Sequence, residues 1–472
     1  MARDKKFVKF KGRLVIVGFG SIGQGILPLI LRHIDLKPSQ ITIVTAEAEG
    51  VDEARTLRTR FVIEPLTEQN YVSVLDPLIE AGDFLLNVSV EVSSLALAAF
   101  CREKGAMYLD TCIEPWPGGY TDRNLTPSLR SNYALREKAL AMRAASPGGP
   151  TALLTHGANP GLVQHFLKVA LLDLAKATGI NAPAPKGRAE WAALAETLGV
   201  KVIHIAERDT QVSRNPKRPG EFVNTWSVDG FVAEGMRPAE LGWGTHERHF
   251  PTDGGRHDFG CGAAIYLNRP GAATRVRSWT PLEGPYHGFL ITHSEAISIA
   301  DYLTVREGDK TRYRPTVHYA YHPCDGAVLS LHEIAGKNFQ VQESKRLIVD
   351  EIDHGLDELG VLLLGHPKGA YWYGSRLSVE EARRLVRFNN ATSLQVTVTA
   401  LAGMIWAMEN PEAGIVEADE IDHERILEIC RPYLGEVSGH YSDWTPLLDR
   451  ERLFEEDLDR GDPWQFKNFR VI

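Results

Sequence analysis

The chain has 472 residues, of which 43% are hydrophobic and 24% charged, and its formal net charge is −9. This length predicts two or three domains with a real core, and the acidic balance argues against nucleic acid as a partner, because phosphate binding needs clustered Lys and Arg. Five Cys without CxxC or CxxH spacing predict a reducing compartment, with no disulfide framework and no structural zinc. We therefore expect a cytoplasmic protein without a metal site.

The clearest unit near the start of the chain is a strand, a Gly-rich turn and a helix. The apolar run from Leu14 to Val17 predicts the strand, and the turn after it carries the pattern G-x-G-x-x-G. Such glycines permit a tight turn, close approach of a pyrophosphate and close packing of helix on strand, and the helix N-terminus offers N–H groups to phosphates. This context favours a dinucleotide site over a purely structural turn. The predicted cofactor-binding residues here are Gly18, Gly20, Ser21, Ile22 and Gly23.

Polar residues stand at the ends of the next predicted strands. The strand in "QITIVT" ends at Thr45, and Glu47, two residues later, could bind the adenine ribose or could be a solvated loop acid. The runs "FLLNVSV" (84–90) and "AMYLDT" (106–111) and the strand 151–155 predict further parallel strands, and ligands bind at the carboxyl ends of such strands. The predicted cofactor-binding residues at these ends are Thr45, Asn87, Ser89, Asp110, Thr111, Asn159 and Pro160.

From about residue 180 the pattern changes to short mixed strands, read in "VKVIHIAE", "EFVNTWSV", "GFLITHSEAISIADYLTV", "TVHYAYH" and "RLIVDEI". Helix signals return near Ser378, which forms a capping box with Glu381. The uncharged run 389–408 is long enough to span a bilayer, but its Asn, Thr, Ser and Gln favour a buried core helix, so we expect no membrane partner. The fold class predicted is α/β, with a Rossmann-like doubly wound parallel sheet and a mixed-sheet α+β substrate domain.

The chemistry of the second part centres on "NTWSVDGFVAE", where Trp226 stands close to Asp229 and Glu234, and on "IHIAERD", which contains Glu207. A Trp ring can hold a cation over its face, and carboxylates can bind an ammonium group and accept its proton. Each residue could equally be structural: Trp226 in a core, the acids solvated, His293 hydrogen bonded. The residues alone lead to a nicotinamide oxidoreductase, with an amine as one candidate substrate.

Nine motifs, spread over nearly the whole chain, closely resemble those of bacterial homospermidine synthases, which are related to saccharopine dehydrogenase and carboxynorspermidine dehydrogenase. The motifs are "FGSIGQG", "YLDTCIEPW", "GANPG", "IHIAERDTQ", "VNTWSVDGF", "ELGWGTHER", "HYAYHPCDGAVLSLHE", "GAYWYGS" and "SDWTPL". The resemblance implies an NAD-binding domain over 1–160, completed by about 378–430, where helices return to it. It also implies a substrate and dimerisation domain over 161–377 and a C-terminal extension over 431–472.

The resemblance implies a transferase that borrows a hydride. NAD⁺ takes a hydride from a putrescine carbon that bears nitrogen, a second putrescine adds to the resulting imine as ammonia leaves, and the retained NADH returns the hydride to give homospermidine. Spermidine can replace the first putrescine, releasing 1,3-diaminopropane. The implied cofactor is NAD, the implied small-molecule partners are putrescine, spermidine and homospermidine, and the implied assembly is a homodimer.

The resemblance also implies roles for individual residues. Trp226 would bind ammonium or iminium over its ring, and Asn159 would lie near the nicotinamide and the substrate. Either Glu207 or Glu234 could be the base that takes the proton of the amine. Glu91 replaces a shorter acid expected there, which leaves its contact with cofactor or amine open. The implied catalytic residues are Trp226, Glu207, Glu234, Glu114, His293, Asn159 and Asp357.

Two alternatives remain open at this point. A dehydrogenase of the saccharopine or carboxynorspermidine type, dependent on NAD(P), would present Arg or Lys to capture a substrate carboxylate, whereas the motifs are rich in acids, although Arg208 stands in "ERDTQ". A non-catalytic dinucleotide sensor would need no Trp surrounded by carboxylates.

Overall fold

A computed structural model describes residues 5–180 and 183–471 of the chain. The described residues are organised around a seven-stranded parallel sheet and an eleven-stranded mixed sheet. Four short two-stranded pairings accompany them, among them Glu221–Asn224 with Ser344–Leu347 and Val305–Glu307 with Lys310–Tyr313.

The first sheet is parallel throughout, and its strands are almost wholly buried near the middle, as expected for a sheet covered on both faces. The chain adds strands first to one side of Leu14–Val17 and then to the other, so the strand order reverses beside it. Ligands bind outside the carboxyl ends of strands at such a reversal, and the predicted Rossmann-like sheet is confirmed. In spatial order the strands are Ile415–Glu417, Ala152–Leu154, Met107–Asp110, Phe84–Asn87, Leu14–Val17, Ile41–Thr45 and Arg60–Ile63.

Helices connect and cover these strands. The helix that follows the Gly-rich turn, Ser21–His33, packs against a 19-residue helix from the far end of the chain, Ala391–Glu409. The Asn389 side chain donates a hydrogen bond of 3.0 Å to the Gly25 carbonyl and so helps to join them. The other helices of the nucleotide half are Val51–Thr56, Tyr71–Leu75, Ser94–Lys104, Asn132–Ala145, Leu162–Ala177 and His423–Cys430.

The helix Ala391–Glu409 is the one helix in the described part of the chain that is long and apolar enough to cross a membrane, with a mean hydropathy of 1.3 over its best window. However, 83% of that window is buried inside the protein. The predicted buried core helix is confirmed. The strand Ile415–Glu417 then pairs with Ala152–Leu154, so the chain returns to the nucleotide half as expected.

The mixed sheet carries the polar residues of the second half of the molecule. Its central strand, Val202–Asp209, pairs in parallel with Thr316–His322 and antiparallel with Leu356–Leu364. The main row runs Gly254–Arg256, Ala264–Pro270, Pro238–Gly242, Thr316–His322, Val202–Asp209, Leu356–Leu364, Ala370–Ser378 and Glu436–Ser442, and a branch adds Arg275–Thr280, Gly284–Phe289 and Arg470–Val471. The helices of this half are Arg188–Leu198, Val228–Met236, Ser294–Tyr302, Asp325–Gly336, Val379–Leu385 and Phe466–Phe469.

One predicted strand is wrong in part. The run "GFLITHSEAISIADYLTV" continues the strand Gly284–Phe289 only briefly, and most of it forms the helix Ser294–Tyr302. Eight of the nine helical residues are buried. A helix buried on all sides has no polar face, so its periodicity cannot be told from that of a buried strand.

The last part of the chain contributes two strands to the mixed sheet. Glu436–Ser442 forms its edge beside Ala370–Ser378, and Arg470–Val471 pairs with Arg275–Thr280. The division into domains at 160, 377 and 430 stays a prediction.

Candidate active site

A cleft of about 700 Å³ lies between the carboxyl edge of the parallel sheet and the mixed sheet. One end is formed by the Gly-rich turn and the strand ends beside it, and the other by Trp226 and the polar residues of the mixed sheet. The predicted residues that line it are Gly18, Gly20, Ser21, Ile22, Thr45, Ser89, Thr111, Asn159, Pro160, Glu207, Trp226, Glu234 and His293, together with Glu47 and Glu91.

The three glycines of the turn have different structural roles. Gly18 has φ of +89°, and a Cβ there would lie 2.8 Å from the Ser89 backbone. A Cβ at Gly23 would lie 2.7 Å from the Gly18 carbonyl oxygen. A Cβ at Gly20 would meet no protein atom within 4 Å, although Gly20 lines the cleft. The turn therefore keeps free space at the N-terminus of Ser21–His33, as a bound pyrophosphate requires.

The end of the cleft at which we expect the adenine ribose is acidic. Glu47, Glu49 and Glu64 line it close to Thr45. Among the described residues that line the cleft, the Lys and Arg side chains are Arg237 and Lys345, and each of them pairs with an acid. Carboxylates can accept hydrogen bonds from ribose hydroxyls and repel a 2′-phosphate. This end of the cleft fits NAD better than NADP.

Trp226 is held between a strand and a helix. It follows the strand Glu221–Asn224 and precedes the helix Val228–Met236, whose first turn is capped by the Ser227 hydroxyl, the acceptor of a 3.1 Å hydrogen bond from the Gly230 N–H. The indole N–H donates to the Tyr321 hydroxyl at 3.3 Å. The ring is thus fixed by its polar edge while it lines the cleft.

Glu207 is the buried carboxyl of the cleft wall, with 2% of its surface exposed. It accepts hydrogen bonds from the Tyr319 hydroxyl and, at 3.1 Å, from the Asn159 side chain. Burial raises the pKa of Glu207 to about 8, against the effect of the Tyr319 hydrogen bond. A carboxyl with a pKa near the working pH can both accept and return a proton.

His293 lies between two carboxylates, at the start of the helix Ser294–Tyr302. Its Nε2 is 3.0 Å from Glu234 Oε2 and its Nδ1 is 3.2 Å from Glu295 Oε1. Burial lowers the pKa of His293, but Glu295 and Glu234 outweigh burial and raise it to about 10. His293 is therefore an imidazolium at neutral pH, which offsets part of the negative charge around Glu234.

Two predicted catalytic acids lie behind the cleft wall. Glu114 forms a buried ion pair with Arg237, with 3.0 Å between Oε1 and Nη2. Asp357 is fully buried and accepts a 3.3 Å hydrogen bond from the Gln395 side chain. Burial and the nearby Glu207 raise the pKa of Asp357. Neither carboxyl lines the cleft, so their direct contact with an amine stays a prediction.

Three predicted cofactor-binding residues also lie behind the lining, where they shape it. Asn87 Oδ1 accepts hydrogen bonds from the Ser89 hydroxyl at 2.5 Å and the Ser89 N–H at 3.2 Å. Asp110 accepts a 2.6 Å hydrogen bond from the Thr155 N–H, which fixes the turn before the loop of Asn159. Gly23 acts through its packing on Gly18.

Several polar residues of the cleft were missed by sequence reasoning, and Tyr319 and Arg237 are the most consequential of them. Tyr319 stands in the correctly predicted strand Thr316–His322, but its contact with Glu207 depends on the pairing of that strand with Val202–Asp209. Arg237 follows the helix Val228–Met236 and had no motif to mark it. Only tertiary structure brings them to the site.

Comparisons with known proteins agree with this geometry. The family model described as "Saccharopine dehydrogenase NADP binding domain" matches residues 14–153, and the one described as "Saccharopine dehydrogenase C-terminal domain" matches 157–443. Homospermidine synthase of Blastochloris viridis is 55% identical over 98% of both chains. That of Mesorhizobium japonicum is 51% identical over 98% of this chain and 96% of its own. The chain belongs to the homospermidine synthase family.

A solved structure supports the same family. The crystal structure of homospermidine synthase from Legionella pneumophila, in complex with NAD, has a TM-score of 0.92 and 52% identity, with 98% of each chain covered. The architecture of this chain is thus that of a homospermidine synthase.

Proposed function

We propose that the chain is a homospermidine synthase, an NAD-dependent transferase that moves an aminobutyl group from putrescine or spermidine to putrescine, with ammonia or 1,3-diaminopropane as the second product. One observation carries the proposal: a single cleft joins a dinucleotide-binding turn to Trp226 and the buried acids Glu207 and Glu234. The relatives at 51–55% identity bear the same name.

The cofactor proposed is NAD. Gly20 and the first N–H groups of Ser21–His33 would hold the pyrophosphate, and Glu47 is placed to accept hydrogen bonds from the adenine ribose. When bound, NAD⁺ supplies a hydride acceptor, and its reduced form supplies the donor that completes the reaction. The protein's own part is to position the amine, manage its proton and limit water.

Glu207 is the proposed general base. An alkylammonium ion must lose a proton before its carbon can be oxidised. With a pKa of about 8, Glu207 is ionised in part near neutral pH, and its ionised form is a stronger base than an ordinary carboxylate. Tyr319 and Asn159 hold the same Oε2 atom and so orient the carboxyl. Glu234 is less suited to this role, because it faces the charged His293.

Trp226 and Glu234 are the proposed cation binders. Every proposed substrate and intermediate is a cation at neutral pH, and a desolvated cation over a Trp ring gains about 2 kcal/mol. Glu234 lies beside the imidazolium of His293 and can accept hydrogen bonds from an ammonium group. Trp226 and Glu234 raise the reaction rate to the extent that they bind the iminium more tightly than the amine.

The structure bears on the dehydrogenase alternative through Arg237. An amino-acid substrate would need a free guanidinium or ammonium for its carboxylate. Arg237 already donates to Glu114 at 3.0 Å and Asn132 at 2.9 Å, and its guanidinium lies 3.2 Å from the centre of the Tyr120 ring. This engagement supports an amine over an amino acid. The acid-lined amine half likewise has no use in a mere dinucleotide sensor.

Cytoplasmic location and a homodimer are part of the proposal and rest on the family. The test of function is product analysis. Purified protein with putrescine and NAD⁺ should yield homospermidine by mass spectrometry while the absorbance of NADH stays flat. NADH that rises in step with an aldehyde or cyclic imine, without a coupled polyamine, would mean an amine dehydrogenase instead.

A further inference from the structure

Two basic side chains reach the cleft from the described part of the chain, and they are held in different ways. Arg237 and its partner Glu114 each have 2% of their side-chain surface exposed, and the guanidinium also stacks on Tyr120. Lys345 has 46% of its side chain exposed, and its ammonium group contacts the carboxylate of Asp229, which is 59% exposed. An exposed pair of this kind contributes little to stability. Arg237 is therefore fixed in place, whereas another cation can replace the ammonium group of Lys345 on the Asp229 carboxylate.

The alternation of side chains along the strand Ser344–Leu347 places Lys345 on the side that faces the cleft. The strand Ser344–Leu347 pairs in parallel with Glu221–Asn224, the strand that leads into Trp226. Successive side chains of a strand point to opposite faces. Lys345 and Leu347 line the cleft, whereas Arg346, between them, donates to Glu221 and is tied down outside it. The backbone thus places an exchangeable cation at the cleft mouth.

Asp229 belongs to the same short segment as the amine-binding residues. It lies in the first turn of Val228–Met236, where helix N–H groups favour an anion. The Trp226 ring lies against that turn, since a Cβ at Gly230 would be 3.1 Å from the ring. Glu234 lies five residues further along, about 7.5 Å along the helix axis, and is buried where Asp229 is exposed. The helix thus presents an inner and an outer carboxylate, and both line the cleft.

We propose that Asp229 is an outer ammonium subsite of the cleft and that Lys345 is its resident cation, displaced by the terminal ammonium of a bound diamine or triamine. The proposal rests on the amine chemistry of the proposed function. One primary ammonium replaces another on the same carboxylate, so the exchange changes neither the number of charges nor the type of donor. Lys345 then acts as a competitor that weakens amine binding and limits retention of the product.

The test compares four proteins, each loaded with NAD: wild type, Lys345→Met, Asp229→Asn and the double variant. Lys345→Met should lower KM for putrescine and spermidine about twofold to fivefold, which is the range that corresponds to an exposed ion pair of about 0.4–1 kcal/mol. Asp229→Asn should raise KM by a similar factor. In the Asp229→Asn background, Lys345→Met should change nothing further. High salt should reduce all of these differences.

Lys337→Met is the matched control. Lys337 has 41% of its side chain exposed and pairs with Glu333 at 3.4 Å, but neither residue lines the cleft. Lys337→Met removes one positive charge from an exposed position, as Lys345→Met does. Any general effect of net charge on polyamine binding will therefore also change KM in Lys337→Met. KM should stay at the wild-type value in this variant.

Calorimetric binding of spermidine to the same holo-proteins keeps this proposal separate from that of the function. Homospermidine formation by wild type with equal KM and Kd in all four proteins would overturn the subsite and leave the function intact. A wild type that binds spermidine but makes no homospermidine would overturn the function, and the Kd values would still decide the subsite. A KM raised by Lys345→Met would contradict the displacement outright.

Discussion

We propose that the two ends of the cleft bind ligands of opposite charge by different means. The nucleotide end uses backbone, namely the free space at Gly20 and the N–H groups of Ser21–His33, and no basic side chain among the described residues lines it. The proposed amine end has buried carboxyls in its wall or directly behind it, and each of them is balanced from inside the protein. Glu234 has the imidazolium of His293, Glu114 has Arg237, and Glu207 has a raised pKa.

The contrast follows from the cost of burial. Backbone N–H groups are neutral and need no counter-charge, so an anion site can be made from a turn and a helix end. A buried carboxylate is costly unless it is paired or protonated. The amine end therefore draws its partners from several distant strands and helices, and its Glu207, with a pKa of about 8, can exchange a proton near neutral pH.

The largest effect should come from removing the titratable group of the amine end. Glu207→Gln keeps the acceptor for Tyr319 and Asn159 but cannot take a proton, so kcat for homospermidine formation should fall about 10²- to 10⁴-fold. The binding of NAD, measured by fluorescence or calorimetry, should stay near the wild-type value. A kcat within about threefold of wild type would assign the base elsewhere, with Glu234 next in line.

At the nucleotide end, Gly20→Val should weaken NAD binding on the order of 100-fold, because its side chain would fill space that the protein leaves open. The backbone at Gly20 has φ of −72°, outside the left-handed region that favours glycine, and a Cβ there would meet no protein atom within 4 Å. The melting temperature of the NAD-free protein should therefore be unchanged. Unweakened binding would mean that the pyrophosphate lies elsewhere.

Trp226→Leu should cost about 2 kcal/mol of transition-state stabilisation, a roughly 30-fold loss in kcat/KM for putrescine. Trp226→Phe keeps a ring face but loses the hydrogen bond to Tyr321, and it should recover part of the activity. Steady-state kinetics of the two variants separates the ring from mere bulk. Equal losses in both would indicate that the indole N–H, not the π face, matters.

The last effect concerns stability and its dependence on pH rather than activity. The pKa of Glu207 is about 8 in the folded protein, above its ordinary value of 4.5. Between these two pH values the folded protein holds a proton that the unfolded chain loses. The free energy of unfolding therefore falls as the pH rises from about 4.5 to about 8. Glu207→Gln removes that loss. Relative to wild type it should gain a few kcal/mol at about pH 9 and little at about pH 4. Denaturant unfolding at the two pH values checks this, and an equal gain at both would contradict it.

The sequence predicts the nucleotide end better than the amine end. The nucleotide end is built from contiguous residues, whereas the amine end is assembled from distant strands and helices. Leu14–Val17 and the Gly-rich turn are contiguous, and local pattern predicts them. Trp226 and Glu207 could be proposed from their motifs. The burial of Asp357 and Glu114 behind the wall and the contacts of Tyr319 and Arg237 depend on long-range strand pairing and side-chain packing, which no local pattern encodes.

The most direct test of the borrowed hydride uses putrescine with deuterium at all four hydrogens of its amine-bearing carbons, incubated with the holo-protein and an excess of unlabelled NADH. If the hydride returns from a cofactor that never leaves the cleft, mass spectrometry should find homospermidine that retains all eight deuterium atoms of its two aminobutyl units. Homospermidine with seven would show exchange with free NADH. The cofactor would then be a diffusing substrate, which contradicts a retained, hydride-borrowing NAD.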